Sequence, residues 1–267
     1  MDIELSVIIV NYNGLKFLKE CFESLHRSLQ GIAYEIVVID NNSPDASCDF
    51  ISQNYPEVVL IQSKDNLGFG KGNNAAVEHA KGEYLLLINN DTIVLDNLLP
   101  VLNIIKQDSS IGAAGIKMLD GNGNYLQGVG NFPKPGNLFR IKNISLMGPE
   151  FKTGNFSKER YEVDWLGGSF LMMPKKAYRE IGGFDKDYFM YVEDVDFSKK
   201  LALKGYKRVF LPGYSYIHFV GYNKSKDPLI IQGFEMYIDK HTNGITKILS
   251  KLSLGFNKLV KRVKKAV

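Results

Sequence analysis

The chain has 267 residues, of which 45% are hydrophobic and 23% are charged, and its formal net charge is +4. A chain of this length and composition can bury a full core in one large domain or two small ones, as in an ordinary globular protein. Its two cysteines, Cys21 and Cys48, are too few for a disulfide framework and indicate a reducing compartment.

The N-terminal residues lead directly into the apolar run LSVIIV, with no basic segment before it. This run is too short for the hydrophobic part of a signal peptide or for a membrane span. The sequence therefore predicts a cytoplasmic protein.

Short apolar runs alternate with amphipathic stretches through the first 118 residues. The predicted strands are LSVIIVNYN, EIVVID, EVVLIQS, YLLLIN and IGAAGIK, and the predicted helices cover about 15–29, 46–54, 72–82 and 98–106. We expect Gly82 to end the third helix and Asp96 to begin the fourth. Strict alternation of strand and helix predicts an α/β fold, with a mostly parallel sheet covered by helices on both faces.

After residue 118 this alternation stops. The stretch DGNGNY and the Gly-, Pro- and Asn-rich residues that follow, up to Ser157, predict a mobile surface region. A strand that ends at Pro174, a helix after it, a helix at about 194–203, and the strands RVFLP and YSYIHF complete this half. We expect an α+β half appended to the edge of the sheet.

Polar residues follow three of the predicted strands. They are Asn11 and Asn13 after the first strand, Asp40, Asn41 and Asn42 after the second, and Asn89, Asn90 and Asp91 after the fourth. Asn and Asp are ordinary turn residues, which is a sufficient explanation for any one of these clusters. Ligands of open parallel sheets bind beyond the carboxyl ends of the strands, so three clusters at one end favour a binding site.

The stretch DNLGFGKGNNAA places Gly68, Gly70 and Gly72 in a G-x-G-x-G spacing after the third strand. A dinucleotide-binding fingerprint needs G-x-G-x-x-G directly after the first strand, so we do not expect a nicotinamide or flavin enzyme. A small-residue loop before a helix offers backbone N–H groups to a phosphate, with Lys71 nearby. A plain flexible connection is the alternative.

Six stretches of the chain carry a family resemblance by their order. They are SVIIVNYN, VVIDNNS, NLGFGKGNN, LLLINNDTIV, GGSFLMMPKKAYREIGGFD and FMYVEDVDFSKKLALKGY. In this order they resemble the inverting family-2 glycosyltransferases of the GT-A fold, over about residues 4–220. The resemblance is greatest to the rhamnosyltransferase-like branch, in which Asn-Asn-Asp stands where other members carry a run of aspartates.

The resemblance implies a dTDP- or UDP-sugar donor and a divalent cation, Mn²⁺ or Mg²⁺, that neutralises the departing diphosphate. Asp91 resembles the last carboxylate of the family's Asp-x-Asp cation motif. His218 stands where many members supply a histidine to the cation or the diphosphate, and a capped core histidine is the alternative. The implied donor-binding residues are Asn11, Asn13, Asp40, Asn41, Asn66, Gly68, Lys71, Asn74, Asn89 and Asn90, with Asp40 at the base or ribose.

The stretch YVEDVDF places three carboxylates at the start of a helix, which compensation of the helix dipole alone would explain. By the resemblance, Asp194 matches the catalytic base that removes a proton from the acceptor hydroxyl. Glu193, Trp165, Gly167 and Gly168 are assigned to the acceptor side, where the indole of Trp165 would stack on a sugar. For Trp165 a place in the plain core is the alternative.

We therefore expect an enzyme that moves rhamnose or another hexose to a hydroxyl of a saccharide or lipid-linked saccharide during cell-surface polysaccharide synthesis. In this interpretation residues 1–118 bind the nucleotide sugar, residues 119–225 bind the acceptor and catalyse transfer, and residues 226–267 form a helical basic tail. A non-catalytic nucleotide-sugar-binding module and a sugar nucleotidyltransferase are the alternatives. The latter normally has a glycine- and basic-rich loop after its first strand, which is absent here.

The tail concentrates the positive charge of the chain. Residues 244–267 carry no acidic residue and seven basic ones, Lys247, Lys251, Lys258, Lys261, Arg262, Lys264 and Lys265. Without these seven charges the formal +4 becomes −3, so the rest of the chain lacks the basic excess expected of a nucleic-acid-binding domain. We expect no nucleic acid as a partner.

The same tail carries apolar residues at helical spacing. They are Ile245, Ile248, Leu249, Leu252, Phe256, Leu259, Val260 and Val263. With lysines between them, the pattern is typical of a helix at an anionic membrane surface. Docking on the chain's own domain or on a partner subunit is the alternative. We favour a protein held peripherally at the inner face of the membrane, because acceptors in the resembled family are often lipid-linked.

Overall fold

A computed structural model of the chain describes residues 2–219 and 226–266. Its strands are β1 (Leu5–Asn11), β2 (Tyr34–Asp40), β3 (Val59–Gln62), β4 (Tyr84–Asn89), β5 (Thr92–Val94), β6 (Ile111–Leu119), β7 (Tyr125–Leu126), β8 (Val129–Gly130), β9 (Tyr161–Glu162), β10 (Trp165–Leu166), β11 (Phe170–Pro174) and β12 (Lys207–His218). Its α-helices are α1 (Leu15–Ser28), α2 (Ser47–Asn54), α3 (Gly68–Val77), α4 (Leu99–Gln107), α5 (Pro135–Leu138), α6 (Pro149–Thr153), α7 (Lys175–Glu180), α8 (Glu193–Leu203), α9 (Lys226–His241) and α10 (Gly244–Ala266), and a 3-10 helix covers Ile141–Ser145.

The predicted parallel sheet is confirmed. Strands β3, β2, β1 and β4 lie side by side in that order and run parallel. In the register, Asn11 lies opposite Asp40 and Val10 lies opposite Asn89. The polar residues after β1, β2 and β4 therefore meet at one edge of the sheet, as the sequence predicts.

The second half of the chain enters the sheet instead of being appended to its edge. Strand β11 lies between β4 and β6 and is antiparallel to both, and β12 pairs with β6 and β5. Residues 170–173 are all apolar and buried, as expected of a strand covered on both faces. The two predicted strands RVFLP and YSYIHF are one strand, β12, whose register shifts between Leu211 and Ser215 around the Pro-Gly pair.

Alternate residues of the strands build two cores, one on each face of the sheet. Val7 and Ile9 point to the face covered by α1 and α4, whereas Ile8 points to the face covered by α3, α7 and α8. A third, smaller core joins α8 to α9 and α10 through residues such as Val195, Tyr237 and Leu254. The C-terminal helices are thus attached to the helix that begins with Glu193.

Two predicted helix boundaries are wrong. Helix α3 ends at Val77, and Gly82 lies beyond it, with its N–H donating to Ser6 Oγ at 2.8 Å. The Asp96 carboxylate accepts hydrogen bonds from the N–H and hydroxyl of Ser215, at 2.7 and 2.9 Å, so it holds β12 instead of beginning α4. The backbone N–H of Gly82 and the carboxylate of Asp96 both bond to segments that are distant in the sequence. Local helix signals do not reveal such bonds.

The segment after residue 119 contains more regular structure and more packing contacts than predicted. The DGNGNY turn forms, with Asp120 accepting from the backbone N–H groups of Asn122 and Asn124. Beyond it, the Phe151 and Phe156 rings lie 5.3 Å apart, and Phe156 is 5.1 Å from Phe210 of β12. These aromatic contacts anchor the segment to the sheet.

In the described part of the chain, the apolar stretches of the helices are all too short to cross a bilayer. The expected boundary between residues 225 and 226 involves residue 225, which lies outside the described residues. Helices α9 and α10 form a pair.

Candidate active site

A line of polar side chains crosses the carboxyl ends of β2, β1 and β4. The Asn11 amide donates to Asp40 Oδ2 at 2.7 Å, and the Asn90 amide donates to Asn11 Oδ1 at 2.7 Å. Ser43 donates its N–H to Asp40 Oδ1 at 2.8 Å. Asn11 and Asp40 are almost fully buried, so these bonds satisfy groups that are costly to leave unpaired.

A second set of amides shapes the turn into α3. The Asn41 amide donates to the Gly68 carbonyl at 3.0 Å, and Asn66 Oδ1 accepts from the Gly68 N–H at 2.9 Å. Gly68 has φ +75°, and a Cβ there would lie 2.3 Å from the Phe189 carbonyl oxygen. Only glycine fits this turn. Asn13, predicted with the polar residues after β1, is exposed, and its N–H donates to Ser43 Oγ at 3.0 Å.

Gly14 is a site residue that the sequence analysis missed. A Cβ at this position would lie 2.1 Å from both Asn11 Oδ1 and Asn90 Nδ2. Any side chain would therefore separate the two amides that hold β1 to the end of β4. The sequence signal is the N-Y-N-G run directly after β1, where the glycine follows the polar cluster.

Lys71 and Asn74 are not placed with these amides. Asn74 Oδ1 accepts from Tyr178 OH at 2.5 Å and from the Phe184 N–H at 2.9 Å, and its amide donates to the Phe184 carbonyl at 2.8 Å. Its amide group therefore holds the turn after α7. Lys71 is exposed and lines the same separate depression as Asn74.

Two N–H groups at the start of α3, where a phosphate was expected to bind, are already used within the protein. The Gly68 N–H is bonded to Asn66, and the Phe69 N–H donates to the Phe189 carbonyl at 3.0 Å. The helix begins at Gly68, four residues earlier than predicted, and the Asn66 side chain accepts a hydrogen bond from the N–H of this first helical residue.

The other predicted site residues line one cavity of about 560 Å³. It is bounded by Asn89, Asp91, His218, Trp165, Gly167, Gly168, Glu193 and Asp194, and also by Phe69, Met118, Gln127, Gly128, Ser169, Met190 and Tyr191. The second group was missed by the sequence analysis. Its members come from segments far apart in the chain. Phe69 and Ser169 stand in quoted motifs directly beside the predicted residues Gly68 and Gly168, and Met190 and Tyr191 stand in the motif that contains Glu193.

Asp91 and His218 face each other across the ends of β5 and β12. His218 Nε2 lies 3.1 Å from Asp91 Oδ1, and Asn89 Nδ2 lies 3.1 Å from the same nitrogen. The backbone fixes this pair, since the Phe219 N–H donates to the Asp91 carbonyl at 3.0 Å. The buried Nδ1 of His218 has no hydrogen-bond partner among the described residues.

The chemistry of this pair fits a divalent cation only in part. A carboxylate oxygen and an imidazole nitrogen are both cation ligands, and they converge on one point at the edge of the cavity. Within residues 2–219 and 226–266, no three His, Cys, Asp or Glu side chains are grouped as a metal site. The chain therefore offers two ligands, and a cation would need further oxygens from its substrate or from water.

Asp194 is held at the first turn of α8 by two backbone N–H groups. Gly168 donates to its Oδ2 at 3.1 Å and Val195 donates to its Oδ1 at 2.9 Å. Burial raises the pKa of Asp194 above its usual range, against the lowering effect of these bonds. The carboxylate is thus fixed in position and more basic than an exposed aspartate.

The preceding residue, Glu193, is buried at 6% exposure and lines the same cavity. Its Oε2 has no hydrogen-bond partner among the described residues. Burial, followed by the neighbouring carboxylates of Asp194 and Asp196, raises the pKa of Glu193 to about 8. Glu193 therefore holds its proton to a higher pH than an exposed glutamate does.

Trp165 is half-buried at the cavity wall. Its indole N–H donates to the Asn131 carbonyl at 3.0 Å, which fixes the plane of the ring. The Gly167 N–H donates to the Gly128 carbonyl at 2.7 Å, and this holds the next stretch of backbone at the wall. The wall therefore combines an aromatic face with carboxyl groups, a combination suited to a polar ligand with apolar faces, such as a sugar.

Sequence comparison places this geometry among known proteins. Residues 6–182 match the family model described as glycosyl transferase family 2. The chain is 27% identical over 248 residues to N-acetylglucosaminyl-diphospho-decaprenol L-rhamnosyltransferase of Mycobacterium tuberculosis, covering 84% of this chain and 78% of that protein. It is 28% identical over 225 residues to rhamnosyltransferase WbbL of Escherichia coli, covering 80% and 82% of the two chains.

Structural comparison agrees with the fold. The mannosyltransferase PcManGT of Pyrobaculum calidifontis, solved in complex with GDP-Man and Mn²⁺, superposes with a TM-score of 0.63, covering 99% of this chain and 75% of that chain. At a sequence identity of 16%, this likeness shows only that the two proteins share a fold. The predicted α/β architecture with its mostly parallel sheet is confirmed.

Proposed function

Because the chain belongs to glycosyl transferase family 2, we propose that it transfers rhamnose or another hexose from a dTDP- or UDP-sugar, with inversion at the anomeric carbon. It is a glycosyltransferase of the rhamnosyltransferase-like kind. The proposed acceptor is a hydroxyl of a saccharide or a lipid-linked saccharide, used in cell-surface polysaccharide synthesis. The curated relatives support this choice, since both are rhamnosyltransferases and the mycobacterial one is named for a decaprenol-linked sugar.

One observation carries the proposal: a single cavity is lined by the Asp91 and His218 pair, by the Asp194 carboxylate and by the Trp165 wall. A transferase must hold the departing diphosphate, the sugar and the acceptor hydroxyl together. A module that only binds a nucleotide sugar has no need of a carboxylate fixed by two N–H groups.

Asp194 is the proposed base. Its carboxylate takes the proton from the acceptor hydroxyl as the oxygen attacks the anomeric carbon, and inversion requires this on the face opposite the diphosphate. The raised pKa of Asp194 makes it a better proton acceptor than an exposed aspartate. Protonated Glu193 can donate a hydrogen bond to a sugar oxygen, and Trp165, Gly167 and Gly168 bound the space for the acceptor.

Asp91 and His218 are the proposed ligands of Mn²⁺ or Mg²⁺. A bound cation would supply positive charge to the leaving diphosphate. The nearby amides Asn89 and Asn90 are neutral, so they offer hydrogen bonds without adding negative charge to the two-ligand site. The Mn²⁺ bound to the mannosyltransferase with the same fold supports this assignment.

The amides at the ends of β1 and β2 are the proposed nucleotide site. Asp40 accepts two bonds within the protein and retains lone pairs for a base or ribose, with Asn11, Asn41, Asn66 and Gly68 shaping the cleft. In this scheme residues 1–118 hold the donor, and residues 119–225 supply the acceptor side and the base. Lys71, Asn74 and exposed Asn13 are outside the proposed contacts.

A cytoplasmic enzyme held peripherally at the inner face of the membrane would meet both a soluble nucleotide sugar and a lipid-linked acceptor. Helix α10 is the proposed anchor, and residues 226–267 form the unit that carries it.

The test is a screen of dTDP- and UDP-sugars by thermal shift, with and without manganese, followed by an assay for release of the nucleoside diphosphate. We expect dTDP-rhamnose to give the largest manganese-dependent shift and to be turned over with a saccharide acceptor. Binding without turnover on every donor and acceptor would support a binding module instead. Release of pyrophosphate from a nucleoside triphosphate and a sugar phosphate would support a nucleotidyltransferase.

A further inference from the structure

Helix α10 is packed against the protein through its polar face. Ser250 is fully buried and Asn257 is 7% exposed, and the Asn257 amide donates to the Phe139 carbonyl at 3.0 Å. Leu254 is the apolar residue between them that enters the third core. The side of this helix that touches protein is therefore mostly polar.

The opposite side of α10 is an apolar surface, which we call the outer stripe. It consists of Ile245, Ile248, Leu249, Leu252, Phe256, Leu259 and Val260, which are between 36% and 67% exposed. The side chain of Val263, the next residue at this spacing, lies outside the description. A globular helix normally buries such a stripe against its core. The helix is docked on its own domain, as one sequence interpretation allowed, but the stripe is not what docks it.

Ion pairs fix α10 in this orientation. Lys247 and Lys251 lie 2.8 and 2.7 Å from Asp239, and Lys258 and Lys261 lie 2.5 and 2.8 Å from Glu235 and Asp227 of α9. These four lysines lie on the side of the helix that faces α9. Rotating the stripe inward would break all four pairs, so the exposed stripe belongs to the folded state.

The charge of α10 selects among possible occupants of the stripe. Four lysines of α10 pair with three carboxylates of α9, and residues 226–267 together have a positive formal charge. A second copy of the chain would bring the same positive segment against it, and like charges facing each other are unfavourable. An anionic lipid surface has the complementary charge and a matching apolar layer.

We propose that the outer stripe is a docking surface for an anionic lipid bilayer, with α10 lying flat in the interface. From Ile245 to Val260 the stripe runs about 24 Å along the helix at 1.5 Å per residue. Because four lysines are already paired with α9, insertion of apolar side chains is the main contribution and attraction of lysines to headgroups is the smaller one. The lysine-rich sequence alone would suggest the opposite order, with electrostatic attraction as the larger contribution.

Helix α10, which carries the docking surface, enters the same third core against which Trp165 of the cavity wall packs. Helix α10 packs on α5, which follows β8, and β8 pairs with β10, the strand that carries Trp165. A bilayer under α10 is thus close to the wall proposed for the acceptor. This last step rests on the proposed function, whereas the docking surface itself does not.

The experiment is flotation of the full chain with vesicles of phosphatidylcholine and 30% phosphatidylglycerol, a lipid fraction chosen as roughly that of an anionic leaflet. The stripe variant carries Ile248→Gln, Leu252→Gln and Phe256→Gln. We expect it to lower the partition coefficient at least about 100-fold, since several inserted side chains are lost together. The matched control carries Leu95→Gln, Leu146→Gln and Leu203→Gln, which alter equally exposed leucines elsewhere and should leave partition unchanged.

Salt and oligomeric state decide the remaining outcomes. Raising sodium chloride from 0.1 to 0.5 M should lower wild-type partition by less than about tenfold, because screening acts only on the charge contribution. Partition of the stripe variant equal to that of the wild type overturns the proposal. A dimer that the stripe variant abolishes, in a wild type that does not float, also overturns it and identifies a second copy as the occupant.

The two proposals fail separately in this design. Partition is measured without donor or acceptor, and donor binding by thermal shift is measured without vesicles. A chain that floats but turns over no nucleotide sugar retains the docking surface and loses the proposed function. A chain that turns over a nucleotide sugar but does not float loses only the docking surface.

Discussion

The first turn of α8 and the outer stripe of α10 depart from ordinary burial in opposite directions. Helix α8 buries the carboxyl groups of Glu193 and Asp196, whereas α10 exposes leucines and a phenylalanine. Buried acids and exposed apolar patches are the informative departures in a folded protein. In α8, Glu193 has an oxygen, Oε2, without a hydrogen-bond partner among the described residues, and its proposed partner is a sugar hydroxyl. The proposed partner of the outer stripe of α10 is a bilayer.

The two helices differ in how the chain compensates for the departure. In α8, Asp194 accepts two backbone hydrogen bonds and Asp196 lies 2.7 Å from the Nε2 of His241. In α10 the stripe has no such compensation in the described part of the chain, and only the opposite face is stabilised by ion pairs. Variants should therefore affect α8 through catalysis and stability, and α10 through surface behaviour.

Asp194→Asn gives the largest expected effect and would separate the two helices most sharply. It removes the proposed base, so turnover should fall by a factor of about 10² to 10⁴ while donor affinity and vesicle flotation stay near the wild-type values. The measurement is steady-state release of nucleoside diphosphate. The control is Asp49→Asn, the same change at an exposed position in the first turn of α2. Wild-type turnover in Asp194→Asn would remove this residue from the role of base.

His241→Ala tests the internal compensation of α8. It leaves Asp196 buried at 1% exposure without its 2.7 Å partner, so the free energy of unfolding should fall by about 3 kcal/mol. Urea titration measures this change, and His79→Ala, at an exposed turn, is the control. A change below about 0.5 kcal/mol would mean that the pair does not stabilise the joint between α8 and α9.

Glu193→Gln tests whether burial raises the pKa of Glu193. With a folded pKa of about 8 against an ordinary 4.5, the wild type keeps its proton when folded and loses it when unfolded. Its stability should therefore fall as pH rises from about 5 to 8, by at most about 1.4 kcal/mol per pH unit. The variant lacks this loss, so its unfolding free energy should exceed that of the wild type increasingly with pH. Exposed Glu20→Gln should show a constant difference, and a constant difference for Glu193→Gln would contradict the raised pKa.

Asp91→Ala gives the smallest expected effect. It leaves α8 and α10 intact, so it tests the cavity without changing either of the two helices compared above. It removes one proposed cation ligand, so affinity for a nucleoside diphosphate in manganese should fall at least about tenfold. In chelator the variant and wild type should bind alike by calorimetry. Equal losses with and without manganese would show that Asp91 acts without a cation, and exposed Asp65→Ala serves as the control.

Local patterns predicted most of the first half of the fold. The run YLLLIN is the strand β4, and the helices predicted at 15–29 and 46–54 are α1 and α2 to within one residue at each end. The insertion of β11 was not predicted, because its place between β4 and β6 depends on pairing with strands about 55 to 85 residues away. Asp96 was misassigned for the same reason, since its partner is Ser215.

The candidate site was predictable where a motif carried it. Asn89, Asp91, Asp194 and His218 line one cavity, although their chemical roles remain predictions. Lys71 and Asn74, predicted with the donor group, line a separate depression beside α7. Gly14 was missed because its importance lies in a distance between two amides, which no pattern in a single segment records.

The position of β11 in the sheet exposes the chain to aggregation while it is being translated. Strands β4 and β6 are complete by residue 119, but the strand that must lie between them ends at residue 174. At about 5–20 residues per second, translation leaves their facing edges unpaired for several seconds. Open strand edges recruit other chains, so a nascent fragment that stops before β11 should aggregate unless chaperones hold it.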